Sequence, residues 1–259
     1  MTELEKNLKN ISIQALNKWI ENERNPAKKE IIRRLKEYKI INSKPKFDEK
    51  VLVVKDDKFT FDGFKEKCRT VDDIIKTNTT NFTRGYVEYD NRYRQLVGNG
   101  ILVKHENDTR FYGLLERKKG YTEQSLIGNL GMVGGHLNIN DPTLTSGFIR
   151  ECFEELKYLE FEMLSSVKHL GYIRETSSDI SNYHLCVLYL VELQEGNTRV
   201  NNLKSSSNSE KLIWISESKL IEMIDKQEVN HIDSWTIEAL KHVMSIYEYD
   251  SLQDIKMNA

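Results

Sequence analysis

The spacing of hydrophobic residues changes along the chain, and each change marks an element. Leu4, Leu8, Ile11, Ala15 and Trp19 recur at three- and four-residue steps, the period of an amphipathic helix. Asn25-Pro26 then opens a second periodic run that turns Ile31, Leu35 and Tyr38 to one side. A helical hairpin is therefore predicted over residues 1–41. Residues 43–69 hold two strand-like runs, VLVVK and KFTFDGF, on either side of a polar turn at Asp56-Asp57, which predicts a short strand pair. TVDDIIKTNTTN, residues 70–81, predicts a short helix and a polar loop. Farther on, the runs Leu96 to Lys104 and Arg110 to Arg117 flank HENDT, as in a hairpin. VKHLGYIRE, YHLCVLYLVEL and KLIWIS predict three more strands, and SKLIEMIDK and SWTIEALKHVMSIYEY two closing helices. Strands interleaved with helices in this order predict an α/β (α+β) fold in which a mixed sheet lies between helical layers.

The stretch GGHLNINDPTLTSGFIRECFEELKYL, residues 134–159, interrupts this sequence of elements with a different pattern. A paired glycine leads into a loop and then a helix, for which Asp141 is the expected N-cap and Pro142 the first helical residue. At about 100° per residue, Glu151, Glu154 and Glu155 share one face, and Ile149, Phe153 and Leu156 fall on roughly the opposite one. Two explanations of the acidic face stand side by side. Three carboxylates within about a turn repel one another unless a hard divalent cation with oxygen ligands lies among them, or else the face is simply solvated.

The stretch resembles the Nudix box, G-x5-E-x7-R-E-U-x-E-E-x-G-U, where U is bulky and apolar. Gly135 and the run Arg150, Glu151, Glu154, Glu155 match it. Three positions depart: Asp141 stands in place of the first glutamate, eight residues precede Arg150, and Lys157 stands where glycine is usual. The similarity extends over about residues 85–250, including a strand ending in Arg117 before an apolar segment that runs into the paired glycine. It implies a Nudix-like mixed β-sheet sandwiched between helices with an N-terminal helical extension. Residues 1–84 are then the extension, a helical hairpin plus short strands, and residues 85–259 the Nudix-like domain.

The resemblance also implies chemistry. Nudix hydrolases mostly cleave a nucleoside diphosphate linked to another moiety, with Mg2+ or Mn2+ as cofactor. By position, Glu151, Glu154 and Glu155 become metal ligands or water-orienting groups, the Gly135 carbonyl completes the shell, and Arg150 holds a carboxylate, in the first instance Glu151. Arg117 and His136 are the candidates for contact with substrate phosphate; a solvated basic strand end and a packed ring are their plainer explanations. Glu175, Asp179 and Glu210 are three candidates for a further acid outside the box, with nothing in the spacing to choose among them. His184 opens an apolar strand and is expected to pack. G-x-S-x-G, G-x-x-x-x-G-K-[ST] and H-E-x-x-H are all absent, and Gly98-Asn99-Gly100 is too short for a phosphate loop. Two functional classes remain: a metal-dependent pyrophosphohydrolase and a non-hydrolysing nucleotide-binding regulatory module. A prenyl diphosphate isomerase is a more distant third.

Composition narrows the partners. The chain of 259 residues carries 38 Lys or Arg against 40 Asp or Glu, a net charge of −2 that gives no global attraction to nucleic acid or anionic membrane. The basic excess in residues 1–45, eleven Lys or Arg against six Asp or Glu, reads first as the solvated face of the helical hairpin, so nucleic acid is not an expected partner. No apolar run approaches the roughly 20 residues of a membrane span, and MTELEKNLKN lacks the apolar core of a signal peptide. A cytoplasmic protein acting on a small nucleotide-type molecule is expected. The apolar face of the hairpin needs a cover, either the main domain or a second subunit, and the latter would give a homodimer. Cys68, Cys152 and Cys186 are far apart and odd in number, and are expected as reduced thiols.

Overall fold

A computed structural model describes residues 49–88, 90–118, 127–176, 181–226 and 231–257. The helical hairpin expected over residues 1–41 lies outside the described residues, as does Asp179. Twelve strands and five α-helices follow in chain order: β1 (Lys50–Lys55), β2 (Gly63–Glu66), α1 (Arg69–Asn78), β3 (Thr80–Thr83), α2 (Arg84–Val87), β4 (Tyr93–Glu106), β5 (Thr109–Arg117), β6 (Leu130–Gly131), β7 (Val133–His136), α3 (Leu144–Glu155), β8 (Leu156–Lys157), β9 (Leu164–Arg174), β10 (His184–Leu193), β11 (Lys204–Ser205), β12 (Glu210–Ser216), α4 (Glu217–Asp225) and α5 (Ser234–Met257).

The main sheet has the order β12-β5-β4-β10-β9-β2, with β1 and β7 also on β4, β3 on β1 and β6 on β5. β10 and β4 run parallel, His184 opposite Gln95 through Glu192 opposite Val103, and the other named strand pairs are antiparallel, so the sheet is mixed as expected. The expected hairpin forms from β4 and β5, and its HENDT loop narrows to Asn107 and Asp108. Both have positive φ, 48° and 61°, which matches the twist of the flanking strands. β10 is apolar without interruption because both of its faces are covered. Leu185, Val187, Tyr189 and Val191 join Leu96, Phe148, Cys152 and Leu156 on the α3 side. Cys186, Leu188 and Leu190 join Val97, Ile101, Leu240 and Val243 on the α5 side. The sheet therefore lies between helical layers. All three cysteines are free thiols, with Cys152 and Cys186 buried.

The strand pair expected within residues 43–69 does not form: VLVVK lies in β1, only Gly63 and Phe64 of KFTFDGF enter a strand, β2, and the two strands pair elsewhere. β1 lies against β3 and β4, and β2 lies against β9 with Gly63 opposite Arg174. A 3-10 turn at Asp56–Lys58 separates them. At that turn the Asp56 carboxylate takes Arg94 Nε at 2.5 Å and Arg174 Nε and Nη2 at 3.1 Å, which fixes the turn between β4 and β9. Pairing outward satisfies backbone groups along two strands that a local hairpin would leave without partners. Strand pairing thus runs across the boundary expected between residues 84 and 85. The expected helix of residues 70–81 appears as α1, and the polar loop after it is instead β3. Among the described residues no helix is long and apolar enough to cross a membrane.

Candidate functional site

The helix α3 begins two residues later than Asp141-Pro142 suggests. Thr143 is the N-cap: its hydroxyl accepts from the Ser146 amide at 3.0 Å, and the Ser146 hydroxyl accepts from the Thr143 amide at 2.8 Å. This reciprocal pair satisfies the start of the helix without Asp141. Asp141 is left for other bonds, and it uses both oxygens. Oδ2 accepts from the Asn138 amide at 2.9 Å and from Arg150 Nη2 at 3.0 Å, while Oδ1 accepts from Arg150 Nε at 2.9 Å. A side chain at Gly147 would strike this carboxylate, since a Cβ there would lie 2.5 Å from Asp141 Oδ2. Burial pushes the Asp141 carboxyl upward, but Arg150 and the Asn138 amide outweigh it and hold it below the ordinary range.

The expected faces of α3 also shift. Phe148, Cys152 and Leu156 are buried against the sheet, with Phe148 stacked on Tyr189 of β10 at 4.3 Å, whereas Ile149 and Phe153 are only half-buried. Residues three and four apart lie on one flank of a helix, so this rotation carries Glu151 inward beside Phe148 and Cys152. Glu151 is 6% exposed and Glu154 remains exposed at the rim. Gly135 makes the inward position feasible: a Cβ on it would meet Glu151 Oε2 at 2.2 Å.

Arg150 binds three carboxylates at once. Besides Asp141, its Nη1 donates to Glu151 Oε1 at 2.6 Å and to Glu154 Oε1 at 3.2 Å, and its Nη2 donates to the His136 carbonyl at 3.1 Å. Its planar fork is thus shared between the loop acid and the helix acids. Even so, burial dominates at Glu151 and, with the charges of Glu154 and Glu49, pushes its carboxyl up to about 7. Glu155 is also pushed up to about 7, by burial first and then by the charge of the neighbouring Glu210. Burial likewise raises Glu210. Two neighbouring carboxyl groups partly shielded from water repel each other unless a proton or a cation lies between them.

Of the two described candidates for a further acid, Glu175 and Glu210, Glu210 is the one that lies near the box helix, beside Glu155. Glu175 instead accepts from the Ser234 hydroxyl at 2.5 Å. Glu49, which no sequence pattern singled out, acts electrostatically on Glu151 and is itself held by Arg84, with Nη1 to Oε2 at 3.6 Å. It stands about 100 residues before the box, with no motif around it. Arg117 lies opposite Glu210 in the β5–β12 register and is bound to Asp233 at 2.8 Å. The His136 carbonyl accepts from Arg150, but its ring lies on the other face of the sheet. On β7 its side chain alternates with Gly135, and its ring meets those of His184, at 5.3 Å, on the α5 side. His184 is buried and also packs against Trp235, as its place in an apolar strand suggests.

Lys157, where the box usually has glycine, lies in the short strand β8 opposite Lys204. The positive φ falls one residue later, at Tyr158 with 69°, so Lys157 needs no special backbone freedom.

A hard divalent cation fits this donor set by chemistry: the buried carboxylate Glu151, the half-buried Glu155, the neighbouring acid Glu210, the rim acid Glu154 and the Gly135 backbone. Among the described residues, no three His, Cys, Asp or Glu side chains converge closely enough to hold an ion in this conformation. Glu151 is turned to Arg150.

No family model and no curated protein matches the chain in sequence. Solved structures do match. The crystal structure of Tm1382, assigned to the Nudix hydrolases, is 18% identical, with TM-score 0.57, over 76% of this chain and 100% of that one. The NUDIX domain of Shewanella oneidensis NrtR complexed with ADP ribose is 13% identical, with TM-score 0.45, over 60% and 88%. RenU, a Nudix hydrolase from M. smegmatis, is 11% identical, with TM-score 0.43, over 63% and 94%. The protein has the fold of the Nudix hydrolases, as the likeness to Tm1382 shows.

Proposed function

We propose that the protein is a metal-dependent hydrolase that cleaves a pyrophosphate bond in a nucleoside diphosphate linked to another moiety. The observation that carries this reading is the acid cluster of α3: Glu151 is buried on its inner flank beneath Gly135, and the half-buried Glu155 lies beside Glu210. A fold has little reason to sink three carboxyl groups beside one another unless a cation balances them. A bound Mg2+ or Mn2+ supplies charge neutralisation at the diphosphate and lowers the pKa of water.

In this reading Glu151, Glu154, Glu155 and the Gly135 carbonyl hold the cation. Arg150 positions Glu151, while Asp141 fixes Arg150 from the other side. Glu210 serves as the additional acid, either as ligand or as proton acceptor for the attacking water. Arg117, on the strand facing Glu210, adds positive potential near the site.

The test is a panel of nucleoside triphosphates, nucleoside diphosphate sugars, ADP-ribose and dinucleoside polyphosphates, assayed with Mg2+ and Mn2+ for released phosphate, pyrophosphate and nucleoside monophosphate. Glu155→Gln is expected to lower kcat by about 100-fold or more with the fold retained. Wild-type turnover by that variant would remove the metal assignment. Saturable nucleotide binding with no release from any substrate would favour the regulatory module instead.

A further inference from the structure

A cavity of about 410 Å³ opens between α1 and the start of α3, on the same side of the sheet as the box helix. That volume is in the range of small-molecule sites. Its floor is apolar, with Leu52, Ile75 and Leu137 among the lining residues, and Tyr172 and His169 form an aromatic wall with ring centroids 5.0 Å apart. Lys67 and Lys76 stand on the rim, both exposed, and neither has an ion-pair partner among the described residues.

The first turn of α3 closes the same rim through Thr143 and Leu144. The Thr143 hydroxyl satisfies the third amide of the helix, at Ser146. The first two amides, at Leu144 and Thr145, have no intrahelical acceptor by the geometry of a helix start, and they carry the positive end of its dipole. The acids on the lining are already engaged: Asp72 accepts from the Tyr172 hydroxyl, and Asp141 is paired with Arg150. Two lysines, a helix start and an apolar floor together suit a ligand with an anionic head and an apolar body.

We propose that this cavity is a second small-molecule site, for an organic phosphate of mononucleotide size, separate from the carboxylate cluster. It does not depend on the hydrolytic reading. From Thr143 the helix rises about 12 Å to Glu151 and about 18 Å to Glu155, so the cavity and the carboxylate cluster lie at different turns of α3. The link between the two sites is Asp141, which lines the cavity with one side and holds Arg150, and through it Glu151, with the other. Occupancy would thereby bias the position of Glu151.

The experiment is calorimetric titration of the full chain with AMP, adenosine and inorganic phosphate in EDTA, where no divalent cation can hold a ligand at the carboxylates. AMP is expected to bind about tenfold or more tightly than adenosine or phosphate. The exposed pair Lys67→Gln and Lys76→Gln should weaken AMP by about tenfold or more, while Glu154→Gln with Glu155→Gln leaves it unchanged. The ring signals of Tyr172 and His169 should shift in NMR spectra on addition of AMP. Four results would each overturn the proposal: no AMP binding at millimolar concentration, binding indifferent to the lysine pair, binding lost with the glutamates, or phosphate binding as tightly as AMP.

Discussion

Asp141 shows how one residue can suit two local rules and obey a third. Beside a proline at a helix start, it has the chemistry of an N-cap, and at its place in the box it stands for a glutamate. In the structure it is an acceptor for Arg150 and for the Asn138 amide, and Thr143 does the capping. Replacing Asp141 with Asn keeps one acceptor and removes the charge that opposes Arg150. Arg150 then keeps Glu151 and Glu154 as charged partners, beside the His136 carbonyl. The variant is expected to lose about 1.5–3 kcal/mol of stability and also to lower kcat. A denaturant melt and an initial-rate assay read the two effects separately, and an unchanged melt would show that the pair contributes nothing to the fold. Thr143→Ala should cost about 0.5–2 kcal/mol with kcat nearly unchanged, because its hydroxyl serves only the helix start.

At the scale of elements, most strands and helices are legible from period alone. Leu96 to Lys104, Arg110 to Arg117, YHLCVLYLVEL and KLIWIS all appear as strands near their expected limits. Which strands become neighbours is another matter. Sequence proximity suggested that VLVVK and KFTFDGF would pair, but pairing depends on which edges the later strands leave open, and those edges belong to β4 and β9. The acidic face of α3 was legible as residue types, and its rotation was not. Ile149, Phe153 and Leu156 form a plausible stripe, yet Phe148 has the better partner in Tyr189, and stacking there turns Glu151 inward. The place of Glu210 opposite Arg117 needs the β5–β12 register, which no local pattern encodes.

Across the molecule, Asp56 is where three distant segments meet. Burial pushes its carboxyl up, but hydrogen bonds and charge from Arg94 and Arg174 outweigh this and leave it below the ordinary range. Arg94 is almost wholly buried and keeps hydrogen bonds to the Glu175 carbonyl and Asn182, but removing the Asp56 charge takes away a carboxylate that balances its buried cation. Asp56→Asn is therefore expected to destabilise by about 3 kcal/mol at neutral pH. A carboxyl depressed in the folded state contributes its full stability above its unfolded pKa, about 3.9, and loses it as pH falls through the lower folded value. The difference in melting temperature between wild type and variant should accordingly be constant from about pH 7 to 5 and shrink in more acid solution. A constant difference down to the acid limit would mean that Asp56 is not the titrating group.

The pairing of β2 with β9 also sets an order of events during synthesis. Gly63 and its partner Arg174 are about 110 residues apart, so at a ribosomal rate of about 5–20 residues per second β2 emerges roughly 5–20 s before the strand it pairs with exists. β1 meets β4 after only about 40 residues and can dock early. Asp56, placed between them, waits with Arg94 in hand until Arg174 arrives, and the closing of that second ion pair marks the moment at which the front of the chain is tied to a strand from its second half.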